Sequence, residues 1–265
     1  MRNIITVTAN SNLNIVKSNT TLQIDGVLAL PTSRLIAYAV NSFHVIGDGT
    51  IQSTNINNTD TVPGGSGWQG LGIVNFGGNS TTLATDFLWN GVELAGGFNG
   101  TPGTISIINL DVRRGIAMQY CMTARVRRAR VHGSIAEAIF YAGQAGSPLS
   151  SDIEIADNHV YNNNHDCISP AVQAVVTFRT HGNIMWNSLN GIESSIGVHE
   201  GNYAFNMQGS GYGFGGSNPN TGIDPVVFRN NVGRNNGLGA GGAWDFSLQG
   251  ATTQQGNVIV ENNQS

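Results

Sequence analysis

Apolar residues in this chain come in short runs broken by Asn, Gly, Asp and Ser, never in a long stretch with helical spacing. The clearest recurring unit is a pair of asparagines four apart. It appears at Asn158 and Asn162, Asn183 and Asn187, Asn202 and Asn206, and Asn231 and Asn235. A partial copy at 258–263 follows near the C-terminal end. Each unit is preceded by a β-like run, at 153–155, 175–178, 196–198 and 226–228. A second short run follows each unit, at 167–168, 191–192, 211–214 and 243–246. Segments 105–116 and 124–135 repeat the same grammar upstream, and 21–24, 27–30 and 43–51 read as short strands parted by Asp-Gly, Pro and Gly-Asp-Gly turns. The stretch 54–72 is rich in Asn, Gly, Ser and Thr and reads as a loop excursion.

The repeat starts at 158, 183, 202 and 231, so its steps are 25, 19 and 29 residues. That period, with three short strands in each, predicts an all-β parallel solenoid in one domain spanning 1–265, with roughly nine to ten turns. The recurrent Asn has a physical role in such a coil. It tolerates the left-handed conformation at tight bends, and amides stacked at the strand spacing of about 4.8 Å can hydrogen-bond from turn to turn. Asn158, Asn183, Asn202 and Asn231 are therefore expected at one corner with inward amides.

Composition agrees with this. The 265 residues include 36 glycines and 32 asparagines, both poor helix formers, and only 11% are charged. A coiled coil or a charged helical bundle is excluded. The net charge of −4 suggests no nucleic-acid partner, and no apolar stretch reaches membrane-spanning length. Cys121 and Cys167 are read as buried free thiols, because two cysteines cannot staple a chain this long. No signal peptide is recognisable at the start, and both ends read as unfinished turns, implying a longer chain or a partner that covers them. Arg113, Arg114, Arg125, Arg127, Arg128 and Arg130 are half of the 12 basic residues. They form either a carboxylate-paired or solvated face or a site for an anion such as an acidic glycan.

Segment 158–168 and its later copies, with 18–30 and 45–51 near the start, resemble the repeat of the pectin-lyase-like superfamily. That resemblance covers nearly the whole chain. It implies a single-stranded right-handed parallel β-helix, as in polygalacturonases and bacteriophage tailspikes. It further implies a polysaccharide partner, a virion or extracellular location, a homotrimer, and either a glycan depolymerase or a non-catalytic structural or adhesin module. Asn164-His165-Asp166-Cys167 is similar to the polygalacturonase Asp-Asp-Cys motif, with His165 in place of the first Asp. The Arg-Ile-Lys element of those enzymes and the Arg-x-Pro-x-x-Arg pattern of pectate lyases are absent.

Aligning the turns on Ile116, Ile139, Ile168 and Ile192 as an inward column places Arg114, Glu137, Asp166 and Asn190 two residues earlier. One residue later come Ala117, Phe140, Ser169 and Glu193, with Asp245 further along. Carboxyls on neighbouring turns about 5 Å apart suit a retaining glycosidase, so Glu137 and Asp166 are the expected catalytic pair. Glu193 is a further catalytic candidate in that region. His165 is read as a base or orienting group, or else as a turn residue with a solvated ring. Arg114, Asn190 and Asp245 are the expected substrate-binding residues. No cofactor and no metal site is expected. His199-Glu200 is read as a turn, and Tyr120, Tyr141, Tyr161, Trp186, Tyr212 and Trp244 include candidate sugar-stacking rings. Tyr161 and Trp186 share one repeat position and are expected to stack on each other in a core or corner ladder.

Overall fold

The computed structural model describes residues 4–6, 13–30, 35–38, 40–53, 69–76, 85–104, 113–119, 121–142, 151–171, 176–214, 226–239, 244–247 and 258–265. These residues form three nine-stranded sheets in which every pairing is parallel. The chain visits the sheets in strict rotation, so each strand pairs with the strands three before and three after it. The inner faces of all three sheets share one core cluster, an arrangement compatible with a parallel β-helix.

The strands follow from the period-2 pattern. In the first sheet, Leu28, Ile51, Leu94, Val131, Val160, Met185 and Ala204 are in register on successive strands and all face inward. The column then ends on Gly233. The inward series Ile116, Ile139, Ile168 and Ile192 is confirmed in the second sheet, each paired with the next and fully buried, and it continues through Tyr212 to Phe246. In the third sheet the buried column Val126–Ile155 continues into Thr180, His199 and Phe228.

The two asparagines of each repeat do different work. Asn158, Asn183, Asn202 and Asn231 form a buried ladder at the corner between the third and first sheets, as expected. Each Oδ1 accepts from the backbone N–H and the Nδ2 of the asparagine one turn before, at 2.9–3.1 Å, from Asn183 through Asn231. Each Nδ2 also donates to a backbone carbonyl, of Val126, Ile155, Thr180 or His199. Asn263 extends the ladder by accepting from the Asn231 N–H, and the Ala129 N–H begins it by donating to Asn158. The second asparagines, Asn162, Asn187, Asn206 and Asn235, instead take φ of 50–56° where the first-sheet strand ends. Left-handed residues also stand immediately before the ladder, at Asp157, Gly182, Gly201, Asn230 and Asn262. Asn and Asp bear that conformation better than other side chains.

Several sequence expectations are corrected. Residues 54–68 lie outside the described residues, as do 105–112, Tyr120, Val175 and Ala243. However, 69–72 belongs to the strand Gln69–Phe76 and is not loop. His199 and Glu200 lie on the strand Val198–Glu200, with His199 turned inward and Glu200 paired with Arg229 at 2.8 Å. The preceding run begins later than expected, at Val198. Gly197 has φ +87°, and a Cβ there would stand 2.2 Å from the Phe178 carbonyl oxygen. Tyr161 and Trp186 do stack, with centroids 4.3 Å apart, but on the half-exposed outer face of the first sheet between His132 and Phe205.

Of the arginine strip, the four members whose side chains are described, Arg125, Arg127, Arg128 and Arg130, form a paired face, and the side chains of Arg113 and Arg114 lie outside the described residues. Arg125 contacts both Asp152 and Glu154, and Arg127 contacts Glu154. Arg128 donates to Asn90 Oδ1, and Arg130 stands 3.7 Å from Glu93. Arg179 and His181 complete this network on the third sheet's outer face.

Candidate functional site

Within each turn, the residue two before the inward isoleucine sits at the corner where the chain enters the second sheet. The residue between them points inward: Ala138 and Cys167 are fully buried, and Gly191 and Gly211 follow. Backbone bonds from Ala138 to Asp166, from Cys167 to Asn190 and from Gly191 to Ser210 stack Glu137, Asp166, Asn190 and Ser210 on successive turns. Glu193 follows Ile192 on its short strand, one position along. The expected column therefore exists in register.

Its side chains converge. His165 Nδ1 lies 3.2 Å from Asp166 Oδ2, close enough for an ion pair although not aligned as a hydrogen bond. Asn190 Nδ2 donates to Asp166 Oδ1 at 2.8 Å and approaches Glu193 Oε2 at 3.3 Å. The other end of that amide is fixed, because Asn190 Oδ1 accepts from the Ser210 N–H at 2.8 Å. Gly209 makes room for it, since a Cβ there would stand 2.2 Å from Asn190 Oδ1. Donor atoms of Glu137, His165 and Asp166 lie within 4.8 Å of one another. Such a donor set is able to hold a metal ion, a capacity that no cysteine or histidine spacing in the sequence revealed.

Charge is unevenly shared. Burial opposes a charge on His165, but the Asp166 carboxylate beside it, with Glu137 and Glu193 beyond, outweighs burial and raises its pKa to about 9. The imidazole thus carries a proton at neutral pH, which competes with any cation for the same place. Glu193 is pushed up to about 7, first by the charge of Asp166 and then by burial, with His165 pulling the other way. One carboxyl of the cluster therefore holds a proton near neutrality. Cys167, behind the site, is fully buried, and burial pushes its thiol up to about 12.

Exposure divides the residues of the column. Glu137 is 8% exposed and Asp166 only 2%, so the expected catalytic pair lies beneath the surface. The His165 side chain is 30% exposed, and Asn190 and Glu193 are half-buried. These three are the described members of the cluster with side chains partly open to solvent. Asn190, read as substrate-binding, acts first as a strut between two carboxylates. Arg114 stands at the matching backbone position on Arg113–Gln119, but its side chain lies outside the described residues. Asp245 does not join the cluster. It occupies the inward position before Phe246, accepts from Asn236 Nδ2 at 2.7 Å, and fills the space in front of Gly233, where a Cβ would stand 2.7 Å from it. The one-residue offset between inward and outward places at this corner decides that difference.

Sequence reasoning did not anticipate the anchoring of Asn190 by Ser210 and Gly209, nor the buried Thr180–His199 contact. No residue-type signal marks a backbone N–H as the holder of a side chain. No family model, no curated protein and no solved structure matches the chain.

Proposed function

We propose that this chain is a right-handed parallel β-helix that binds a polysaccharide along the second-sheet corner and cleaves a glycosidic bond there. The observation that carries this reading is the cluster of three carboxyls and one histidine stacked on adjacent turns, with Glu193 pushed up to about 7 beside the carboxylate of Asp166. Neighbouring acids held in different protonation states are what glycoside hydrolysis needs. In this mechanism Glu193, within reach of a ligand, donates its proton to the glycosidic oxygen. Positive charge then develops on the ring whose anomeric carbon loses that oxygen, the other sugar departs as an alcohol, and a water adds to that carbon and gives its proton to the Glu193 carboxylate. The buried carboxylates of Asp166 and Glu137 stabilise that charge electrostatically in a site of low polarisability. His165 keeps the buried pair from accumulating uncompensated charge, and Asn190 fixes the distance between Asp166 and Glu193.

The burial of Glu137 and Asp166 also favours a second reading. In that reading the cluster is a structural polar ladder of a non-catalytic module that only binds glycan, as a structural or adhesin part of a virion or cell surface. Incubation with neutral and acidic polysaccharides separates the two, with reducing-end release read for hydrolysis and ultraviolet absorbance for an unsaturated lyase product. The hydrolytic reading expects reducing ends that disappear in Glu193→Gln while glycan binding persists. Binding with no cleavage of any polysaccharide supports the binding module. The resemblance to tailspikes extends the proposal to a homotrimer, which light scattering on the purified chain tests directly.

A further inference from the structure

The corner column does not end at Ser210. The Gly211 N–H donates to the Trp244 carbonyl as the Gly191 N–H donates to Ser210, which puts Trp244 on the next turn of the same column. Its neighbour Asp245 takes the inward place and is bonded to Asn236, so Trp244 faces outward, and it is 64% exposed. Leu238, at the same corner of the same turn, is 52% exposed. Single exposed apolar residues need no explanation. A large ring held in register with the acid cluster is a different case.

Three strand steps separate Trp244 from Asp166, roughly 14 Å along the corner, or a few sugar residues of an extended chain. The other described aromatic candidates are unavailable for ring stacking. Trp89, Tyr141 and Tyr212 are buried, and Trp186 already has Tyr161 on one side at 4.3 Å and Phe205 at 5.7 Å. Trp244 is the most exposed of the described tryptophans, and no ring stacks on it among the described aromatic pairs.

Charge along the column specifies the kind of sugar. On the side of Glu193 toward Trp244, the described residues 187–194, 206–214, 235–239 and 244–247 include no Lys or Arg. Arg114 stands on the far side of Glu137, and the arginines 125–130 whose side chains are described lie elsewhere, in contact with Asp, Glu or Asn. A polyuronate laid from Glu193 toward Trp244 would find no Lys or Arg among these residues to pair with its carboxylates. We infer that Trp244 is the platform of a distal subsite that stacks on a neutral sugar residue of a chain whose reacting bond lies at Glu193. This inference rests on the proposed glycan-cleaving or glycan-binding site and adds to it a direction, a length and a substrate class.

The test uses size-graded oligosaccharides of glucose, mannose and galactose, from disaccharides upward, with oligogalacturonides of the same lengths. Binding to the full chain is measured by calorimetry, and circular dichroism verifies that each variant is folded. The expected result is affinity for neutral chains that rises with length. Trp244→Ala should weaken the longest chains by roughly tenfold, with a loss that shrinks as the chain shortens, and Trp244→Phe should restore most of it. A loss independent of chain length, or no loss with long chains, overturns the subsite. Preference for oligogalacturonides overturns the neutral-sugar assignment. If Glu193→Gln still cleaves while the Trp244 length dependence holds, the hydrolytic mechanism fails and the subsite stands. No binding of any oligosaccharide by the unaltered chain overturns both.

Discussion

The side-chain amide of Asn190 stands between two carboxylates, 2.8 Å from Asp166 Oδ1 and 3.3 Å from Glu193 Oε2. One donor group thus holds two like-charged groups from separate turns within a single amide's reach. Glu193 responds by keeping its proton up to about pH 7. If Glu193 is the acid, turnover is sustained below that pH and falls as pH rises through it, since the proton it must donate is gone. Asn190→Asp adds another negative charge beside Glu193 and should move that alkaline limb to higher pH. A pH–rate profile of the two proteins checks this.

Asp166 leads the forces that raise the pKa of Glu193, and it is the first of the groups that outweigh burial at His165. Asp166→Asn should therefore lower both values. NMR titration of His165 reads the effect without any substrate. The unaltered protein should keep the imidazolium to about pH 9, and the variant should lose its proton at clearly lower pH.

Asn183 accepts two hydrogen bonds from Asn158 and donates to Asn202 and to the Ile155 carbonyl, all in the buried interior. Asn183→Ala deprives Asn158 of its acceptor and Ile155 of its donor. The expected cost is about 1–3 kcal/mol, measured by denaturant unfolding.

His199 sits in an otherwise apolar column, with Nδ1 3.0 Å from Thr180 Oγ1, Nε2 3.0 Å from the Ile196 carbonyl oxygen, and its ring stacked on Phe228. Burial lowers its pKa from 6.5 to about 4. The neutral form is therefore favoured in the folded protein. Its contribution to stability is present above pH 6.5 and is lost as pH falls toward 4. Between pH 7 and pH 5 the change in unfolding free energy of the unaltered protein should be about 2 kcal/mol less favourable than that of His199→Gln, a comparison in which the opposite contributions of Glu193 and His165 cancel.

Cys121 and Cys167 are fully buried, and the Cys167 Sγ approaches the Val160 carbonyl oxygen at 3.5 Å. Both should resist alkylation at neutral pH in the native protein and react after denaturation, as followed by mass spectrometry.

Much of the fold was legible in the sequence because its signals are local and repeat at a fixed place. An asparagine recurring before a short apolar run marks a corner, and the ladder from Asn158 to Asn231 was found from spacing alone. The isoleucine column from Ile116 to Ile192 was equally legible, because stacking puts equivalent positions of successive repeats in register. Strand starts were less so. Val198 begins its strand late because Gly197 lies hard against Phe178, a contact between turns that no single run reveals.

The candidate site divides along the same line. That Glu137, Asp166 and Asn190 share a column was determined by the sequence, since parallel stacking turns a common offset into adjacency. Which carboxyls a ligand can reach was decided only by the tertiary structure. Burial depends on how the corner bends and on what neighbouring turns place over it, and this put Glu137 and Asp166 below the surface with His165 and Glu193 at it. The same bend turned Asp245 inward to Asn236 and left Trp244 outward. Two adjacent residues were sent to opposite sides of the wall because the strand alternation is broken at a corner, where two consecutive residues such as Cys167 and Ile168 face inward, and which residue begins that inward pair is set by the packing of whole turns against one another.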